Sequence, residues 1–259
     1  MNSLRYMIHV LLLLPLAGFL YWQGRRVRAQ VPRLGEASQT KGKAGRFRSA
    51  RHVLLLGESA FAGVGVRSNQ SGIAGRFAHH WSRQQRHSVH WRLYARNGYN
   101  MQRLVEQILP QIPHQKTDLI LIGMGGNDAF ELTPPARFGR QTRVLIETLR
   151  ERYPDCPIVF GNVPPVYAFP AFPVLLQFAL GGAVKILKRE LCNVTAAYRH
   201  VYFDERLIHF TAWQQQAPAH TSLADFFSDG VHPSALAYDL WAAELARFTT
   251  AQLQPSQGG

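Results

Sequence analysis

HVLLLGESAFAGVG, residues 52–65, is the stretch from which the fold is read. An apolar run of strand length, 52–56, stops at Gly57, and Gly63 and Gly65 mark the loop that follows. Four more strand candidates come after it, at 88–94, 118–122, 157–160 and 201–203. Helical patterns fill the intervals at 72–85, 101–109, 135–153 and 178–199, and a last helix is predicted from Pro233, a residue suited to a first helical turn. Strand–helix alternation of this kind predicts a three-layer α/β/α sandwich around a mainly parallel sheet of about five strands. In such sheets ligands bind beyond the carboxyl ends of the strands, so the chemistry is sought there.

The first strand ends in Gly57-Glu58-Ser59, with a serine exposed on a strand-to-loop turn. Phe61 occupies the place a Gly-x-Ser-x-Gly elbow would give to glycine, which argues against an α/β-hydrolase nucleophile. The second strand ends in Asn97-Gly98, a dipeptide most often used as a turn. The third ends in Gly125-Gly126-Asn127-Asp128, where Asn127 could donate a side-chain N–H and Asp128 could cap a helix. Near the C-terminus stands Asp229-Gly230-Val231-His232-Pro233, and an Asp three residues before a His can hold the imidazole in one tautomer. Each signal has an ordinary turn reading; together they fall on one predicted edge and supply a nucleophile, donors, and an acid–base pair.

This set resembles the SGNH (GDSL-type) hydrolase superfamily over roughly residues 51–248. The resemblance implies a flavodoxin-like sheet with Ser59 as nucleophile, Asp229 and His232 completing a triad, and an oxyanion hole from Ser59, Gly98 and Asn127. It implies a serine hydrolase of acyl esters that needs no metal or cofactor; the region of Pro164-Pro165 and Phe169-Pro170 resembles a bacterial membrane-tethered branch. One departure is plain: the usual Gly-Asp-Ser carries Glu58, one methylene longer, beside the nucleophile. An acyltransferase, a glycan O-acetyl esterase and a catalytically silent lipid or glycan binder are the alternatives on the same scaffold. Scattered histidines such as His79 and His80 lack metal-ligand spacing.

Outward from this domain, charge and hydropathy are unevenly placed. The formal charge is +13, of which residues 1–51, with ten Lys and Arg against one Glu, hold +9. That weakens a nucleic-acid reading, which needs a basic face on the domain itself. Residues 6–22 form an apolar run with Tyr6, Tyr21 and Trp22 at its ends, long enough for a short membrane span of about 25 Å. The predicted organisation is a transmembrane or signal-anchor helix at 1–23, a basic linker at 24–50, the hydrolase domain at 51–253 and a disordered tail at 254–259. Cations behind the helix favour an uncleaved, single-pass anchor in a bacterial inner membrane with a cytoplasmic catalytic domain; cleavage after Ala29, with a periplasmic or secreted product, is the competing reading. Residues 156–184 carry no charge and five prolines, which suits either buried core or an apolar wall that receives an acyl chain. Cys156 and Cys192 read as separate thiols.

Overall fold

The apolar runs pair as their alternation predicts. The protein is described by a computed structural model covering residues 1–163 and 165–254; Pro164 and residues 255–259, most of the expected tail, lie outside it. Six strands, β1 (Lys41–Ala44), β2 (Ala50–Glu58), β3 (Ser88–Arg96), β4 (Leu119–Gly123), β5 (Ile158–Phe160) and β6 (Val201–Phe203), form one sheet in the order β1-β3-β2-β4-β5-β6. All neighbours are parallel except β1 on β3. In register, Gly57 lies opposite Gly123 and Glu58 opposite Arg96, so the carboxyl ends of β2, β3 and β4 finish on one edge.

Among the described residues there are nine α-helices: α1 (Asn2–Leu13), α2 (Ala17–Gln30), α3 (Ile73–Gln85), α4 (Met101–Arg103), α5 (Gly126–Phe130), α6 (Pro135–Arg152), α7 (Val174–Thr195), α8 (Phe210–Gln216) and α9 (Ala235–Leu253). Successive strand residues point to opposite faces, and both faces of the sheet are apolar. Leu54, Leu56, Ile120 and Ile122 join Phe138 and Leu145 of α6 in one core. Val53, Leu55, Leu119 and Leu121 join Phe77 of α3 and Trp241 of α9 in the other. The last helix begins at Ala235 rather than Pro233, because Ser234 takes the capping position and accepts the Ala237 N–H.

The N-terminal part departs from the expected organisation. The helix does not end near residue 23: α2 runs to Gln30, through residues that favour helix, after a 3-10 turn at Leu14–Leu16 where Pro15 interrupts α1. Asn2–Gln30 is long and apolar enough to cross a membrane. It also touches the domain: the Asn2 amide donates to Glu190 of α7 (2.8 Å), His9 Nε2 donates to the Ala179 carbonyl (2.8 Å), and the Tyr6 hydroxyl reaches the Leu132 carbonyl. Nor is 24–50 a loose linker. Glu36 accepts the Asn97 N–H at 2.7 Å and pairs with Arg96 at 2.9 Å, Ala37 donates to the Ala62 carbonyl, and β1 forms the sheet edge. Lys41-Gly42-Lys43-Ala44 shows no apolar alternation; only backbone pairing with β3 makes it a strand, and lysines suit an edge. Gly42 lies on Trp91, where a Cβ would come within 2.5 Å of the indole.

Candidate active site

Ser59 follows directly on β2, where the chain turns sharply: the N–H groups of Phe61 and Ala62 both donate to the Glu58 carbonyl. Phe61, buried against Trp241 at 6.0 Å, pins the turn from below. Gly57 is required beneath it, since a Cβ there would stand 2.5 Å from that of Phe61.

The Asp229–His232 loop is built by its own carboxylate. Asp229 Oδ1 accepts the N–H groups of Val231 (2.9 Å) and His232 (2.7 Å), and Oδ2 meets His232 Nδ1 at 2.7 Å. The Asp229 side chain is fully buried. Burial alone would raise its carboxyl, but the bonds from the His232 ring and from both backbone N–H groups outweigh burial and hold it below the ordinary carboxylate range. An ionised carboxylate only accepts, so Nδ1 carries the proton and Nε2 is the nitrogen left to act as a base. No Ser59–His232 hydrogen bond is formed among the described residues; such catalytic bonds tighten in substrate complexes.

The third block is tied to both neighbours. Asn127 is the second residue of α5, and its side-chain amide donates to the Tyr99 carbonyl at 3.0 Å. Asp128 does not cap its own helix: it accepts the Met101 N–H at 2.8 Å, at the start of α4. Glu58, the departure from Gly-Asp-Ser, finds its reason here. Its two oxygens accept the Gly126 N–H (2.6 Å) and the Asn127 N–H (2.9 Å), so the longer side chain reaches the first turn of α5 and fixes Asn127 relative to Ser59. Sequence reasoning had no signal for this contact, which joins two strand ends.

Complete burial, then the nearby Asp128 carboxylate, pushes Glu58 up to about 8 against those two N–H bonds; burial also lifts Asp128 to about 6. A carboxyl raised on folding binds its proton more tightly in the native state, so stability falls as pH climbs from the unfolded value, near 4.5, through about 8. Thermal melts at pH 6 and pH 9 should therefore show a drop in Tm that is distinctly smaller in Glu58→Gln; an equal drop in both proteins refutes the assignment.

Ser59, Asn127 and His232 line one cavity of about 420 Å³ together with Phe169, Trp213, Phe227 and Trp241. Gly98 is not in its wall, although Asn97 is; Gly98 sits in the adjoining turn at φ +78°, its carbonyl held by Arg103. The uncharged stretch 156–184 divides between the two expected roles: Ile158, Val159 and Phe160 are core, whereas Pro165 and Phe169 face the cavity. Phe210 and Trp213 of α8, and Phe226 in the 3-10 turn Leu223–Phe226, add aromatic lining that no sequence pattern announced. Arg28 and residues 31–34 of the N-terminal segment, two arginines among aliphatic side chains, also belong to the wall. His80 is tied to Asp239 at 2.6 Å, a packing role.

A sequence model described as the GDSL-like lipase/acylhydrolase family matches residues 55–240. The fold is similar to that of a lipase from a goat-rumen metagenome (TM-score 0.55, 18% identity, 80% of this chain and 99% of that one). It is also similar to a lipolytic G-D-S-L family member from Veillonella parvula (TM-score 0.57, 16% identity, 78% and 100%). A salicylyl-acyltransferase from a tetracycline biosynthetic pathway shares the fold as well (TM-score 0.51, 15% identity, 80% and 56%). No curated protein matches the chain in sequence.

Proposed function

The chain belongs to the GDSL-like lipase/acylhydrolase family, and on that premise we propose that it is a serine hydrolase that cleaves acyl esters through Ser59, His232 and Asp229. The observation that carries this reading is the meeting of Ser59, Asn127 and an Asp229-bound His232 at one apolar cavity. In the proposed reaction, His232 Nε2 takes the Ser59 proton as Oγ attacks the acyl carbonyl. The backbone N–H of Ser59 and the side-chain amide of Asn127 receive the developing oxyanion; Gly98, which lies outside the cavity wall, is left out of this hole. His232 then returns the proton to the departing alcohol, and water, activated by the same nitrogen, releases the acid.

Asn127→Ala is expected to lower kcat by about 10²-fold or more while KM changes little, because the amide is asked to act mainly on the oxyanion. A pure KM effect would make Asn127 a binding or turn residue instead.

The substrate is proposed to be a lipid-like ester. Aromatic lining supports this, since each methylene an acyl chain buries adds about 0.8 kcal/mol of binding. The test is kcat/KM across p-nitrophenyl esters from two to sixteen carbons, repeated in detergent and with thioesters. A rise toward medium or long chains is the expected result; a maximum at acetyl with a steep fall by six carbons rejects the lipid reading.

Membrane attachment is proposed on the apolar helix Asn2–Gln30 and the exposed Leu4, Leu11, Leu12 and Phe19. While α1 rests on α7, only its outward face can meet lipid; a perpendicular span requires α1 to leave that face. The cationic residues behind it support a cytoplasmic catalytic domain. Digestion of the domain by protease added outside intact spheroplasts would refute that orientation.

A further inference from the structure

The cavity has a second chemical character that ester cleavage does not use. Arg28, in the last turn of α2, and Arg33, in the segment after it, belong to the same wall as Ser59 and His232. Both are exposed, and neither forms an ion pair among the described residues. Other arginines near this edge are engaged: Arg96 with Glu36 at 2.9 Å and Arg103 with Glu131 at 3.1 Å. Glu58 is the one acidic residue of the described wall, and both its oxygens already accept backbone N–H groups of α5. Among the described residues the wall is thus apolar and aromatic except for Ser59, Asn127 and His232, the engaged Glu58, Asn97 and two unpaired guanidinium groups.

Guanidinium groups bind phosphate and carboxylate oxygens through charge-assisted, often paired, hydrogen bonds. Helix geometry adds where they stand. From Trp22, the aromatic end of the apolar run, to Arg28 is six residues, a rise of about 9 Å. A head-group layer is about 5–8 Å deep on each side of the hydrocarbon core, so on an upright helix Arg28 stands at the outer edge of that layer. We infer that Arg28 and Arg33 form an anion subsite of the substrate cavity, selecting acyl esters whose alcohol part carries a phosphate or carboxylate. The inference rests on the proposed ester hydrolysis at Ser59. Under it the N-terminal segment is part of the binding site as well as an attachment.

The experiment uses the full-length protein in mixed micelles of a neutral detergent. It compares kcat/KM for 1-acylglycerol 3-phosphate with that for 1-acylglycerol of the same chain length. The wild type should favour the anionic ester, and Arg28→Gln/Arg33→Gln should lower that preference about tenfold, through KM rather than kcat, because the contact lies away from the reacting carbonyl. Arg25→Gln/Arg26→Gln removes the same charge from guanidinium groups that lie over Tyr21 and Trp22, outside the cavity, and should leave the preference unchanged. An equal fall in both double variants overturns the subsite and leaves only a general surface-charge effect. Equal hydrolysis of the two esters by the wild type overturns it too, whereas hydrolysis of neither ester sinks the esterase reading itself. The same pair with four-carbon acyl chains, dissolved as monomers, separates the sources. A preference kept there assigns the subsite to soluble anionic esters, and one seen only in micelles assigns it to lipid head groups.

Discussion

Ser59→Ala is expected to lower ester turnover by about 10⁶-fold, with His232→Ala equally damaging, because nucleophile and base act as one unit and removing either stops the same step. Asp229→Asn should cost about 10⁴-fold and leave a small residue of activity, since it disturbs the tautomer and orientation of His232 rather than removing the base. Ser59 and His232 are only partly buried, so their replacement leaves the core untouched. Asp229 is different: its Oδ1 also holds two backbone N–H groups, and the amide oxygen of Asn can still accept them. Near-normal kcat/KM in purified Ser59→Ala protein, with an unchanged melting curve, would end the proposed mechanism. Covalent labelling of the wild type by a fluorophosphonate, mapped to Ser59 and lost in Ser59→Ala, identifies the nucleophile directly.

The second large effect concerns where the catalytic unit begins. A chain started at Arg51 should not behave as an intact, active domain, although the charge pattern suggests a cut there. It lacks β1 and the Glu36 contacts, leaves the β3 edge open and uncovers Trp91, which is now 1% exposed. Exposing a large part of one indole and its neighbours costs about 2–3 kcal/mol, a fall of roughly 5–10 °C in Tm for a domain of this size. It also removes the cavity wall formed by Arg28 and residues 31–34, so kcat/KM for long-chain esters should drop by at least about tenfold. A chain started at Arg25 keeps both the edge strand and that wall, and should stay close to the full-length protein in Tm. Matching melts and matching kcat/KM for the Arg51 and Arg25 starts would refute this assignment of the N-terminal segment.

The sheet was legible because its inner parallel strands are apolar runs bounded by glycine or polar residues, as 53–56 and 119–122 are, while β3, nearer the edge, alternates apolar and polar residues. Burial on both faces leaves such runs little alternative. The Asp229–His232 pair was legible for a related reason: its partners are three residues apart, so local turn geometry nearly suffices to join them. Ser59 and Asn127 could be named from short motifs because each stands at the end of a strand, and parallel strands bring their ends to one edge.

What only the tertiary structure decided depends on partners distant in sequence. Glu58 meets the first turn of α5 across 68 residues, a contact that no periodicity encodes and that gives the extra methylene its use. Lys41-Gly42-Lys43-Ala44 becomes a strand only because β3 offers it an unpaired edge. Phe169, Trp213 and Phe227 come together from three separate segments, so their shared wall is invisible to any local window. Arg28 reads in the sequence as one cation of a basic run; folding gives it a place in the same cavity wall as Ser59, 31 positions away. Short-range hydrogen bonds and apolar periodicity are written into neighbouring residues. Contacts closed by long loops depend on how the whole chain packs, and their energy appears only once it has done so.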